Sequence, residues 1–225
     1  MRIQPTSRLV LIGDSVTDSE RARSEPELWV ETLGRGYVSM VNALLTARYP
    51  DHRIQVVNRG IAGDTVRDLK ARWQGDVLDQ RPDWLSVCIG INDVWRQFDA
   101  QYEGEEPITL DEYGRTLDGL LASARPNLKG LILMTPYVIQ PSRTEPMRAA
   151  MDLYGEVVRQ LAAKHKACLV DVQAVLDRAS SHLDHMILAW DRVHPTNCGH
   201  MVLACAFLDA VGFDWRGLRG YSAPP

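Results

Sequence analysis

Four short blocks carry the side chains best suited to chemistry: Gly13-Asp14-Ser15, Gly60-Ile61-Ala62-Gly63, Gly90-Ile91-Asn92-Asp93 and Asp191-Arg192-Val193-His194-Pro195. Acyl transfer by a serine needs a hydroxyl that attacks and a base that takes its proton. It also needs a carboxylate that holds the base in one tautomer, and donors facing the oxygen that becomes negative. Ser15 supplies the hydroxyl, His194 the base and Asp191 the carboxylate. Their offset places Asp191 and His194 on one turn. Gly63 has no side chain to keep its backbone N–H from an oxyanion. Asn92 offers a side-chain N–H, and the N–H of Ser15 is a third donor. Taken singly, each has a plainer reading. A serine after a strand often caps a helix, Asp-x-x-His is often a surface turn, Asn92-Asp93 suits turn chemistry with Asp93 capping a helix, and Gly63 suits any left-handed position. Their joint placement favours catalysis.

That placement follows from the elements around them. Continuous apolar runs at Arg8 to Gly13, Arg53 to Asn58, Trp84 to Ile89, Gly130 to Met134 and Cys168 to Val172 read as strands buried on both faces of a parallel sheet. Helical spacing of apolar residues marks Tyr37 to Tyr49, Asp64 to Leu78, Leu110 to Ala124, Met147 to Lys166 and Asn197 to Val211. Asp64 is the expected cap of the second and Gly212 the stop of the last. Alternating strands and helices predict one α/β domain over 1–225, with helices on both faces of the sheet. A polar excursion runs from Phe98 to Thr109, and a polar, Pro-ended tail follows about residue 215. Ligands of such sheets bind beyond the carboxyl ends of the strands. Three successive strands deliver there a hydroxyl, a Gly-rich turn and an amide.

Composition narrows the function classes. The chain has 225 residues, 45% hydrophobic and 24% charged, with Lys+Arg 25 against Asp+Glu 29. A net charge of -4 supplies no bulk positive field for nucleic acid. No run approaches the roughly 18 consecutive apolar residues of a membrane span, and the short Leu9 to Ile12 run is no signal-peptide core. Cys88, Cys168, Cys198 and Cys205 follow neither a zinc nor a CxxC pattern. A cytoplasmic protein with reduced thiols is the expectation.

The four blocks, in this order, resemble the signature blocks of the SGNH (GDSL-like) hydrolases. More narrowly, Gly36-Tyr37-Val38, Thr65-Val66-Arg67-Asp68-Leu69, Ile91-Asn92-Asp93-Val94-Trp95-Arg96 and Trp190-Asp191-Arg192-Val193-His194-Pro195 resemble the intracellular acetylxylan esterases of that superfamily. The resemblance implies a three-layer α/β/α sandwich with a five-stranded parallel sheet of flavodoxin-like topology. It implies Ser15 as nucleophile, Gly63 and Asn92 with Ser15 as the oxyanion hole, His194 as base and Asp191 as its orienting acid. The implied reaction removes acetyl groups from xylo-oligosaccharides through an acetyl-enzyme, with no metal or organic cofactor, in a homo-oligomer. No Gly-x-Ser-x-Gly is present, which sets aside the α/β-hydrolase elbow.

Asp14, Trp95, Tyr137 and Trp190 are the substrate-contact candidates, the aromatics because flat rings suit sugars as well as acyl chains. Each suits loop packing equally well. Arg96 and Arg192 meet polar substrate groups or form local ion pairs. His165, His182, His185 and His200 read as surface or structural, with His200 at most behind the site. Rival readings are a thioesterase or lysophospholipase using the same site, a metal-dependent hydrolase with Asp14, Asp18, Asp191 and His194 as ligands, and a non-catalytic carbohydrate-binding module. The metal reading leaves Gly63 and Asn92 idle. The partner expected is a small-molecule or oligosaccharide ester, not nucleic acid or membrane.

Overall fold

In the computed structural model, which describes residues 1–23 and 32–216, the apolar runs pair into one parallel sheet. Its strands are β1 (Arg8–Gly13), β2 (Gln55–Gly60), β3 (Trp84–Cys88), β4 (Gly130–Met134) and β5 (Cys168–Val170), in the order β2-β1-β3-β4-β5. From β1 the chain moves out to β2, then returns across β1 to β3, so the topology switches direction between β1 and β3. The register sets Gly13 level with both Gly60 and Cys88. Three strand ends therefore release their loops at one height.

The helices are α1 (Ser15–Asp18), α2 (Tyr37–Arg48), α3 (Val66–Trp73), α4 (Ile91–Trp95), α5 (Leu110–Ala124), α6 (Pro146–Lys164), α7 (Val172–Ser180), α8 (His185–Leu188) and α9 (Asn197–Ala210). α9 packs against α2 and α7, forming one layer. α5 packs against α3 and α6, forming the other. Strands β1, β3 and β4 lie between the layers, and Leu9, Val10, Leu11 and Ile12 are wholly buried. Such continuous burial explains why their sequences do not alternate.

Several boundaries differ from the sequence pattern, each for a local reason. β2 is an edge strand, so it alternates: Val56, Asn58 and Gly60 are buried while Gln55 is exposed. It starts later than expected, after Arg53 at φ 48. β5 stops at Val170 because Asp171 turns away to cap α7, accepting the Ala174 N–H at 3.0 Å. That helix and α8 were not expected. α3 is capped by Thr65 rather than Asp64: Thr65 and Asp68 form a reciprocal capping box, and the Asp64 carboxylate instead takes Arg72 Nε at 2.6 Å. A π-turn, Gln74–Leu78, completes the segment read as one helix. The expected tail lies outside the described residues beyond 216. No helix among the described residues is long and apolar enough to cross a membrane.

At the strand ends there is no slack. A Cβ on Gly13 would lie 2.2 Å from Cys88 O, and one on Gly60 would lie 2.1 Å from Asp18 N. Gly60 lets α1 rest directly on the end of β2, and Gly13 lets the ends of β1 and β3 close on each other.

Candidate active site

α1 begins immediately after β1. Asp14 is its N-cap, and its carboxylate accepts the Val16 N–H at 3.0 Å. Ser15 is thus the first helical residue, where a backbone N–H has no intrahelical acceptor. Its Oγ lies 3.0 Å from His194 Nε2, and His194 Nδ1 lies 2.6 Å from Asp191 Oδ2. The carboxylate requires Nδ1 to carry the proton, which leaves Nε2 as acceptor for the serine hydroxyl. Asp191 Oδ1 is also engaged, accepting the N–H groups of His194 at 2.7 Å and Val193 at 3.0 Å. Burial alone would raise the Asp191 carboxyl, but the His194 side chain and these two amides outweigh it and hold it below the ordinary carboxylate range. It is an anion at neutral pH.

The loop bearing these residues is pinned from the end of β4. Ile139 N–H donates to Arg192 O at 2.9 Å and the Tyr137 hydroxyl donates to Val193 O at 2.7 Å. Between them Arg192 sits at φ 72, in the left-handed region.

The turn after β2 faces Ser15. Ile61 N–H donates to Gly13 O at 3.0 Å, Ala62 N–H to Asp18 Oδ2 at 2.9 Å, and Asp64 N–H to Ile61 O at 3.2 Å. Gly63 adopts φ +86, and a Cβ there would meet only Arg96 Nη2, at 3.8 Å. Glycine is required by the backbone conformation, not by crowding. No acceptor among the described residues takes the Gly63 N–H. On α4, Asn92 Nδ2 donates to Asp64 O at 2.9 Å. That bond orients the amide and leaves its second N–H for a ligand.

Two substrate-contact candidates are corrected. Asp14 and Tyr137 are both fully buried. Asp14 caps α1 and Tyr137 braces the loop that bears Asp191 and His194, so neither faces the cleft. Burial pushes Asp14 up to about 7, against the lowering effect of the Val16 N–H. Asp93 is likewise pushed up to about 7 by burial; its Oδ1 accepts the Val66 N–H of α3 at 3.0 Å, so it does not cap its own helix. Trp95 has its ring centroid 5.7 Å from that of His194, and Trp190 is 65% exposed. His200 is buried; its Nδ1 accepts the Tyr37 N–H at 3.2 Å, so Nε2 carries the proton and faces Ser19 Oγ at 3.4 Å. Burial, with His194 nearby, lowers it to about 4 and keeps it neutral. A cleft of about 540 Å³ is lined by Ser15, Ala62, His194 and His200.

The rival metal ligands do not converge. The Asp14 carboxylate is sealed beneath α1, and Asp18 is committed to Ala62 N–H and the Arg23 guanidinium.

Sequence reasoning missed two supporting residues. Arg72 donates to Gly13 O at 3.1 Å, Arg59 O at 2.7 Å and Asp64 Oδ2 at 2.6 Å, tying the ends of β1 and β2 to the Gly63 turn. Nothing in the local pattern marks it. Asn58 donates to Thr17 O at 2.7 Å and Leu33 O at 2.9 Å and accepts the Gly60 N–H at 2.8 Å. An asparagine in a strand's buried row was the available signal.

The family model for GDSL-like lipases/acylhydrolases matches residues 11–202. An acetylxylan esterase of Geobacillus stearothermophilus is 51% identical over 215 residues, covering 96% of this chain and 98% of the relative. Its crystal structure aligns over the same shares with a TM-score of 0.91. Solved variants of it described as catalytic mutants replace a serine, an aspartate and a histidine by alanine. An alpha/beta hydrolase enzyme from the metagenome of Lake Arreo, Spain, is 48% identical, with 94% of this chain and 98% of that chain covered and a TM-score of 0.90. On a family match spanning most of its length, and on a sheet and strand-end loops of the kind just described, the chain belongs to the GDSL-like lipase/acylhydrolase family.

Proposed function

We propose that Ser15, His194 and Asp191 form the catalytic triad of a serine esterase that removes acetyl groups from xylo-oligosaccharides. The observation that carries the triad is the aligned pair of contacts, 3.0 Å from Ser15 Oγ to His194 Nε2 and 2.6 Å from His194 Nδ1 to Asp191 Oδ2. The substrate class rests on the full-length match to an acetylxylan esterase, and a solved form of that relative is described as an acetyl-xylooligosaccharide esterase. The thioesterase and lysophospholipase reading is not favoured by that match.

Ser15 Oγ attacks the acetyl carbonyl carbon as His194 Nε2 takes the hydroxyl proton. The carbonyl oxygen becomes an anion facing the N–H groups of Ser15, Gly63 and the Asn92 amide, which are in place before the charge develops. Collapse breaks the ester bond, and His194 gives its proton to the departing sugar oxygen. Water then attacks the acetyl-enzyme, His194 takes its proton, and acetate leaves with Ser15 restored. Asp191, held anionic throughout, stabilises the imidazolium of each step. Trp95, beside His194, and the exposed Trp190 supply flat apolar faces for the sugar.

The assembly we infer is a homo-oligomer, supported by exposed Leu183, Met186 and Ile187 on and around α8. A reducing, cytoplasmic setting is supported by four free cysteines. The test of the activity is a panel of acetylated xylo-oligosaccharides against p-nitrophenyl esters of increasing chain length. Preference for acetylated sugar supports the reading, and a rising rate with acyl length sinks it.

A further inference from the structure

Arg96 ends α4, four residues after Asn92, and points back toward the turn after β2. Its Nη2 donates to the carbonyl oxygen of Gly63. The guanidinium carbon lies 5.0 Å from the centroid of the Tyr102 ring, and Nη1 lies 3.8 Å from Glu105 Oε2. Tyr102 and Glu105 belong to the polar excursion between α4 and α5, which walls a cavity of about 690 Å³ that Asn92 and Arg96 also line. The pair with Glu105 is long and exposed, so by itself it contributes little. The contact with Gly63 is of another kind. A glycine at φ +86 has wide conformational freedom and no side chain to anchor it.

Neighbouring bonds restrain the turn on either side of Gly63. Ile61 and Ala62 are tied through their N–H groups to Gly13 and Asp18, and Asp64 O accepts from Asn92. The Gly63 carbonyl belongs to the Gly63–Asp64 peptide, which is held at both ends, by Arg96 at the oxygen and by the bond from Asp64 N–H to Ile61 O at 3.2 Å. The Gly63 N–H belongs to the preceding Ala62–Gly63 peptide, so Arg96 acts on its direction through the two Gly63 torsions that join these peptides. A donor displaced by about 1 Å from its oxyanion costs up to roughly 10²-fold in rate.

We infer that Arg96 is a positioning residue for transition-state stabilisation: it clamps the Gly63–Asp64 peptide and with it the torsions that aim the Gly63 N–H, and the excursion clamps Arg96 through the Tyr102 ring. The wall of the cavity and the turn bearing the Gly63 donor thereby share one side chain. This inference rests on Gly63 being an oxyanion donor, as proposed above.

The experiment compares Arg96→Ala, Arg96→Lys, Tyr102→Leu and Asn92→Ala with the parent enzyme on one acetyl ester, with thermal melts as a check of folding. Arg96→Ala is expected to lower kcat by about 10-fold to 10²-fold with KM within twofold, since the clamp serves charge present only in the transition state. Arg96→Lys, which restores one donor, is expected to recover part of kcat. Tyr102→Leu is expected to show the same kcat-only loss, several-fold in size. A raised KM with normal kcat in Arg96→Ala would make Arg96 a substrate contact and overturn the inference, as would unchanged kcat or a lysine variant no better than alanine in a folded enzyme. Asn92→Ala separates the two levels. If it loses kcat while Arg96→Ala does not, the clamp is wrong and the oxyanion site stands; if neither loses kcat, the oxyanion reading itself falls.

Discussion

The buried Tyr137 hydroxyl donates to the Val193 carbonyl at 2.7 Å, while the N–H of the same peptide, belonging to His194, donates to Asp191 Oδ1 at 2.7 Å. The peptide that carries the proposed base is therefore held at both ends, one of them from the loop after β4. Tyr137→Phe keeps the ring in the core and removes only the outer hold. It should cost about 1–3 kcal/mol of stability, because Val193 O is left buried without a donor. It should also lower kcat several-fold with KM unchanged. Urea denaturation and steady-state kinetics check both, and an enzyme of wild-type kcat would show that the brace is structural alone.

Ser15→Ala should fold normally and lose about 10⁴–10⁶ in kcat, since members of a triad act as a unit. Parallel assays with a chelator should leave the parent enzyme untouched, and a serine-directed phosphonate should inactivate it. Retention of more than a few per cent of activity in the folded variant would remove Ser15 as nucleophile.

Asp191→Asn replaces an acceptor that grips both the imidazole and two backbone amides. The amide keeps an oxygen for the backbone N–H groups, yet its presence at Nδ1 favours the wrong tautomer, so kcat should fall by up to about 10⁴. Steady-state kinetics on the folded variant check this, and a wild-type kcat would leave Asp191 as a support of the turn alone.

Asp14 links the site to stability. Its carboxyl titrates near 7 in the folded chain, raised by burial, against about 3.9 in an unfolded one. Between those values the folded state holds a proton that the unfolded state has released, so this group's contribution to stability falls as pH rises from about 4 to about 7, then stays level. Asp14→Asn keeps an oxygen for the Val16 N–H and cannot ionise. Its stability relative to the parent should therefore grow across that window, reaching at most roughly 4 kcal/mol above pH 7. Taking the difference cancels His200, which works in the opposite sense: neutral in the fold down to about 4, it adds stability as pH rises from about 4 toward 6.5. Denaturant midpoints from pH 4 to 8 test this, and a constant difference between the two proteins would contradict it.

The sheet was legible because β1, β3 and β4 are buried on both faces and carry uninterrupted apolar residues. The proposed triad and oxyanion residues were legible because each stands at a strand end or in a compact block. What stayed hidden was anything set by contacts distant in sequence. Tyr137 stands just after a strand end, as the site residues do, but its exposure depends on the loop bearing Val193, 56 positions away, so an apparent sugar platform proved to be an interior brace. Asp14 reads as a neighbour of the nucleophile; that it faces inward follows from its role as cap to a helix of only four residues. Thr65 took the cap expected of Asp64 because Arg72, eight residues on, drew the aspartate away. Helix α7 escaped notice because its start was absorbed into the apolar run of β5.

The contact between Ser15 and His194 bridges 179 positions of the chain. On a ribosome the proposed nucleophile emerges 179 residues ahead of its proposed base. Until then Ser15 is an ordinary alcohol, since a serine hydroxyl without its base is a weak nucleophile. Chains released early, before Asp191 is added, would carry the serine and the donors after β2 and β3 but no means of using them. If the proposed triad holds, ester cleavage reports that translation reached the far block and that the two blocks have met, which makes a colorimetric acetate-release assay a gauge of completed folding.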